Sequence, residues 1–145
     1  MNVKNKHYLT VCFENGVVKM INQDLLPFRF EIFESKSYTD TCLAIRNMIV
    51  RGAGAIGAAA GFAMAQAFIQ SNGNPIFVQN AKSEIEATRP TARNLFFATD
   101  RVYKAGLISV ENAVNEAQQI ASEDIDAGKK IGFYGNQLIK DGMQI

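Results

Sequence analysis

The chain has 145 residues, 48% of them hydrophobic and 20% charged, a balance that supports a buried core and excludes a disordered polyelectrolyte. Lys and Arg number 15 against 14 Asp and Glu, so the formal net charge is +1 and the basic excess of a nucleic-acid-binding domain is absent. Two cysteines, Cys12 and Cys42, and a single histidine, His7, are too few for a disulfide scaffold, a zinc site or a histidine dyad.

Residues 1–7 are polar, and no apolar segment of signal-peptide type follows them, so a cytoplasmic protein is expected. Residues 8–13 are rich in aromatic and β-branched side chains and predict a strand; Val17 to Ile21 predicts a second. Between them stands Asn15-Gly16, a pair that tolerates the positive φ of a type I′ hairpin turn. Residues 28–33 alternate apolar and polar, which predicts a third strand with Phe28, Phe30 and Ile32 on one face. Residues 1–36 thus read as a small antiparallel meander whose apolar face needs a helical cover.

Beyond Tyr38 the periodicity is helical. Ser37 and Thr39 are candidate N-caps, and Thr41, Leu43, Ala44, Ile45, Met48 and Ile49 fit one helical face. Arg51-Gly52 interrupts the pattern, and residues 53–70 predict a second helix, closed by the turn cluster 71–75. Further helices are predicted over residues 76–88 and 91–105. A last one starts at the N-cap Ser109 and reaches at least Ile125, with an extension past Gly128 towards Ile139. The expected fold class is α+β: a small antiparallel β meander at the amino terminus followed by a mainly helical bundle over residues 37–145.

The second helix is unusual in carrying Gly54, Gly57 and Gly61 among the eight alanines of residues 53–67. Gly57 and Gly61 form a GxxxG pattern, but the apolar run is short, broken by Gln66 and poor in large side chains, so no membrane partner is expected. Glycine weakens a helix by about 1 kcal/mol relative to alanine, so several of them point to close approach by another helix or a ligand. Ile56, Phe62, Met64 and Phe68 then fill the core. At its start, Arg51, Gly52 and Ala53 meet a positive helix terminus with unpaired N–H groups, where a small backbone admits an anion and Arg51 can add a charge-assisted contact. The competing reading is an arginine that merely caps or pairs. A β-branched residue at Gly52 is expected to crowd the helix-start amides.

A second constellation, Arg89-Pro90-Thr91-Ala92-Arg93-Asn94-Leu95, has Pro90 shaped for the first turn of a helix and Arg89 just outside that positive terminus. Two helix starts, each with an arginine, could converge on one anion. Alternatively Arg89 satisfies Glu86, while Arg93 and Arg101 are solvated.

Residues 51–57, Arg51-Gly52-Ala53-Gly54-Ala55-Ile56-Gly57, together with residues 89–101, resemble the amino-terminal half of the methylthioribose-1-phosphate isomerases. Their superfamily includes ribose-1,5-bisphosphate isomerase and the regulatory subunits of eukaryotic translation initiation factor two B. Leu26-Pro27-Phe28 and residues 45–50 extend the likeness, and Phe96-Phe97 with Asp100-Arg101 favour the isomerase branch. Gly54 departs from the pattern, which usually has proline there. The resemblance implies an aldose–ketose isomerase of methionine salvage that opens a phosphorylated thioribose ring and moves hydrogen between its first two carbons, without metal or organic cofactor. It implies substrate contacts by Arg51, Gly52, Ala53 and Arg89, a phosphorylated pentose as ligand, and a homo-oligomer. An Ala/Gly-faced helix and an exposed meander edge are further grounds to expect association. The catalytic cysteine and aspartate of such enzymes lie in a carboxy-terminal Rossmann-like domain, to which neither Cys12 nor Cys42 corresponds; both read as small core residues. The expectation is therefore a phosphate-holding domain that is inactive without its second half. The alternatives are an interaction module of the translation-factor type and a ribose-1,5-bisphosphate isomerase relative.

Overall fold

The computed structural model describes residues 2, 3 and 5–144. The polar start at Met1 and Lys4 and the chain end at Ile145, both invoked above, lie outside the described residues. A two-stranded hairpin, β1 (Asn2–Val3) and β2 (Lys6–His7), precedes a three-stranded antiparallel sheet of β3 (Val11–Glu14), β4 (Val17–Ile21) and β5 (Ile32–Ser35). Five helices follow: α1 (Tyr38–Arg46), α2 (Ala53–Gln70), α3 (Pro75–Glu86), α4 (Arg93–Gly106) and α5 (Val110–Asn136). The architecture is α+β, as the sequence predicts.

Asn15 and Gly16 take φ of 51° and 81° and close the β3–β4 hairpin, so the predicted turn forms. The third strand differs from expectation. It begins at Ile32, and Phe28 is 96% exposed. Register explains the change: Met20 pairs with Phe33 and Val18 with Ser35. Val18 and Met20 are buried, and directly opposed residues share a face, so Phe33 and Ser35 turn inward while Ile32 turns out. The inner face lies on α2 and α5, with Phe13 stacked on Phe62 at 5.4 Å.

Helix α1 starts at the N-cap Ser37 and stops short of the predicted Met48 and Ile49. The Ile49 N–H donates back to the Ala44 carbonyl (3.0 Å) and the Met48 N–H to that of Ile45 (3.3 Å), a Schellman closure with Met48 at φ 60°. The predicted face also changes, since Leu43 is exposed.

Helix α2 has the predicted bounds and is the centre of the domain, packing against the other four helices and the sheet. By length and composition it could cross a membrane, yet 72% of it is buried inside this chain. Its glycines admit neighbours closely: a Cβ at Gly57 would lie 3.1 Å from Asn94, and one at Gly61 would touch Ala98 and Val102 of α4 and Ala117 of α5. The small-residue face at Gly57 and Gly61 is therefore covered within the chain. These contacts also set direction. Positions 57 and 61 of α2 meet 94 and 98 of α4, so the two helices run the same way, whereas α5 runs opposite, with Ala117 near Gly61 and Asp124 near Gly54.

Gln66, 1% exposed, carries the polar link of the core. Its Nε2 donates to the carbonyls of Gly16 and Ser35 (both 3.0 Å), which fixes its Oε1 as the acceptor of the Thr41 hydroxyl at 2.7 Å. The Ser35 and Thr41 hydroxyls lie 2.6 Å apart, and Ser35 Oγ is 2.9 Å from the Ser37 carbonyl. Arg101 is not solvated as one reading of the sequence had it. It bridges α4 to α5 through Glu116 (2.6 Å) and Glu123 (2.7 Å).

Gln66→Ala should lower stability by about 2–4 kcal/mol in urea or thermal unfolding, from orphaned buried partners and a cavity; a loss below about 0.5 kcal/mol would show that the network does not hold the core. The hydrogen bond from Arg101, aided by Gln119, holds the Glu123 carboxyl below its ordinary value of 4.5. A depressed folded pKa stabilises above the unfolded value and is lost as pH falls through the folded one. The melting difference between the wild type and Glu123→Gln should therefore be full above pH 4.5 and shrink below it; a difference constant with pH would exclude the pair as its cause.

Candidate functional site

Three helices open with a side-chain cap. Ser37 Oγ accepts from the Asp40 N–H (3.1 Å), Asn74 Oδ1 from those of Ile76 and Phe77 (3.0 and 3.2 Å), and Ser109 Oγ from that of Asn112 (3.0 Å). Helices α2 and α4 begin instead at Gly52 and Ala92, with no side-chain cap and no acidic residue in the first turn. Because these two run the same way, their amino termini lie at one end of the bundle. Their N–H groups and positive dipole ends thus stand together without the usual side-chain acceptors.

The residues singled out by sequence gather at this end. Arg51 is exposed; its Nε donates to the Met48 carbonyl (3.2 Å) and its Nη2 to Asp24 Oδ1 (2.6 Å). Arg89, part-buried, directs its Nη1 to the sulfur of the same Met48. Met48 therefore joins the two arginines from 38 positions apart in sequence, one by its backbone and one by its side chain. Gly52 (φ 91°, ψ 138°) and Ala53, both exposed, form the start of α2 beside Arg51. The structure brings Arg51, Gly52 and Ala53 together by sequence and Arg89 to them through Met48.

Two local details differ from expectation. Pro90 is not in the first turn of α4: the Ala92 N–H donates to the Arg89 carbonyl (3.0 Å), so residues 89–92 form a β-turn with Pro90 at its second position, and the helix starts at Arg93. Arg89 thus stands a full turn ahead of the helix, which gives it the reach to Met48. It does not pair with Glu86, which is taken by Lys82. At Gly52, a Cβ would meet nothing within 4 Å, so the predicted crowding is not what requires glycine. The requirement is conformational, since φ of 91° is costly for any side chain.

Sequence reasoning missed Met48, Gln23 and Asp24. Met48 reads as a helical core residue, and only its left-handed conformation, rare for a side chain without local polar help, marks it. Gln23 and Asp24 read as turn punctuation. A cavity of about 200 Å³ adjoins the two helix starts, lined by Gly54, Gly57, Asn94, Phe97, Glu123 and Asp124. A Cβ at Gly54 would fall 1.8 Å from Asp124 Oδ1, so the glycine leaves room for this carboxylate on the α5 side of the helix start. A separate cavity of about 390 Å³ outside the sheet is lined by Lys6, His7, Cys12, Glu14, Lys19 and Glu34, and Lys19 pairs there with Glu14 (2.8 Å) and Glu34 (3.9 Å).

Neither cysteine is an activated nucleophile. Burial pushes the Cys42 thiol up to about 12, and burial followed by the charge of Glu14 raises that of Cys12. Among the described residues no group of three or more His, Cys, Asp or Glu side chains is arranged to hold a metal ion. This end of the bundle presents backbone amides and two guanidinium groups, together with the carboxylates of Asp24, Glu123 and Asp124.

Gly52→Ala should cost about 1–3 kcal/mol of stability in thermal unfolding, despite open space for its methyl group, because the backbone must keep or abandon a positive φ. An unchanged melting curve would show that the helix start accommodates a side chain without strain.

Residues 49–145 match the Initiation factor 2 subunit family. The chain is 41% identical over 144 residues to a methylthioribose-1-phosphate isomerase of Acetivibrio thermocellus, covering 90% of this chain and 42% of that one. Against the methylthioribose-1-phosphate isomerase of Thermotoga maritima it is 38% identical, covering 100% of this chain and 44% of the relative. It spans less than half the length of these curated relatives. Among solved structures, 5-methylthioribose 1-phosphate isomerase from Pyrococcus horikoshii superposes with a TM-score of 0.81 at 38% identity, covering 92% of this chain and 41% of that chain. Translation initiation factor eIF-2B subunit delta from A. fulgidus superposes with a TM-score of 0.70 at 29% identity, covering 92% and 42%. The matched segment takes in α2, α4 and the residues from Ile49 to Arg89 that surround the helix starts, and on this ground the chain belongs to the Initiation factor 2 subunit family.

Proposed function

We propose that this chain holds the phosphate of a phosphorylated pentose for an aldose–ketose isomerase, with methylthioribose-1-phosphate as the sugar phosphate and methionine salvage as its setting. The observation that carries the reading is the pair of helix starts without side-chain caps at one end of the bundle, with Arg51 and Arg89 meeting at Met48 beside them. A phosphate at that place would receive backbone N–H donors from Gly52–Ala53 and charge from both guanidinium groups. Higher identity and closer superposition favour the isomerases over the translation-factor subunit. The raised thiol pKa values of Cys12 and Cys42 agree with a binding role rather than a covalent one for this domain. A homo-oligomeric assembly belongs to the same proposal.

The second reading is an interaction module of the translation-factor type, favoured by the superposition on the delta subunit. Binding separates them. Calorimetric or NMR titration of the chain with methylthioribose-1-phosphate should show saturable binding that inorganic phosphate displaces. Arg51→Ala and Arg89→Ala should each weaken it by about 1.5–3 kcal/mol, the range for hydrogen bonds to charged groups. Unchanged affinity in both variants would overturn the shared anion seat, and absence of binding to any sugar phosphate would favour the interaction module. Tighter binding of ribose-1,5-bisphosphate than of methylthioribose-1-phosphate would redirect the substrate to the sibling isomerase.

A further inference from the structure

We propose that Gln23 is a positioning residue for this anion seat, acting through Arg51. The proposal rests on the phosphate-holding reading above. Between Arg46 and Ala53 the chain has no regular secondary structure. The segment carrying Arg51 is therefore placed by what it touches, and it ends on a glycine that by itself fixes little. Gln23, in the turn after β4, reaches it at two points. Its backbone N–H donates to the Ile49 carbonyl (2.9 Å), and its side-chain Oε1 accepts from the Arg51 N–H. In this way one residue bridges positions 49 and 51 as a neighbouring strand would. Asp24 then takes Nη2 of Arg51, and the Met48 carbonyl takes Nε.

Arg51 is thus held at its backbone and along one edge of its guanidinium, while Nη1 makes no hydrogen bond among the described residues. The contact to Asp24 alone is a poor anchor. Its partners are 49% and 59% exposed, and such pairs contribute little against side-chain entropy. Gln23 anchors the backbone and is neutral, so it adds no negative charge beside a phosphate. The assignment also explains why a turn remote in sequence, 28 residues ahead of Arg51, is drawn against the start of α2.

The test uses the 145-residue chain, with methylthioribose-1-phosphate as probe and NMR to follow both binding and the Arg51 amide. Gln23→Ala should weaken binding about tenfold, the equivalent of one hydrogen bond's positioning, and speed solvent exchange of the Arg51 amide. Gln23→Glu, which keeps the acceptor and the side-chain length, should restore slow exchange. In an Arg51→Ala background, Gln23→Ala should add less than about a twofold loss, since residues acting through one another are not additive. Full additivity would reduce Gln23 to a general structural role and overturn the proposal. So would wild-type affinity and exchange in Gln23→Ala while Arg51→Ala still weakens binding, a result that leaves the anion seat standing. If Arg51→Ala and Arg89→Ala both bind as tightly as wild type, the seat itself fails, and the positioning role with it.

Discussion

The side-chain amide of Gln66 stands on the core side of α2, where three distant parts of the chain present polar groups to it. The hairpin turn offers the Gly16 carbonyl, β5 offers that of Ser35, and α1 offers the Thr41 hydroxyl. In an apolar interior each of these would be costly if left unpaired, so the amide makes one arrangement of sheet, α1 and α2 strongly preferable to its neighbours. The same arrangement fixes the candidate site. Holding β4 and β5 against α2 places the β4–β5 connection, and with it Gln23 and Asp24, beside the end of α1. Holding α1 sets where its Schellman closure leaves Met48.

Around that frame, the bundle uses small residues to bring charge together. Gly57 and Gly61 let α4 lie close and codirectional with α2, so two positive helix ends share one end of the molecule. Side-chain caps serve α1, α3 and α5, while α2 and α4 start without them. Elsewhere the charges are spent on one another: Lys82 with Glu86 and Asp100, and Arg101 with Glu116 and Glu123. Arg89 differs in that, among the described residues, it makes no ion pair and directs Nη1 to a methionine sulfur, a weak acceptor. Met48, left-handed at φ 60°, lies between the two arginines.

Much of the fold was legible in the residues. The Asn15-Gly16 turn, the bounds of α2 and the caps at Ser37 and Ser109 follow from local rules, because each depends on backbone conformations or hydrogen bonds spanning at most four residues. The third strand departs from the pattern because alternation marks Phe28, Phe30 and Ile32 as the apolar face, whereas pairing with β4 sets a register that turns Phe33 and Ser35 inward. The end of α1 is not legible in sequence because Met48 and Ile49 keep the helical period while closing the helix. Pro90 fits both a helix start and the second position of a β-turn, and local preference does not choose between them.

The site divides in the same way. Arg51, Gly52, Ala53 and Arg89 stand out in sequence because arginine next to small or helix-starting residues is chemistry written along the chain. Their convergence is not written there. It depends on Met48 lying between residues 38 positions apart, on Gln23 crossing from another element, and on two helices running the same way. Sequence by itself determined which segments could be strands and helices, and which residues could carry an anion, since those properties belong to each residue and its near neighbours. Tertiary structure decided register, helix direction and the meeting of the two arginines, because these depend on packing and hydrogen bonds between parts of the chain that local preference does not relate.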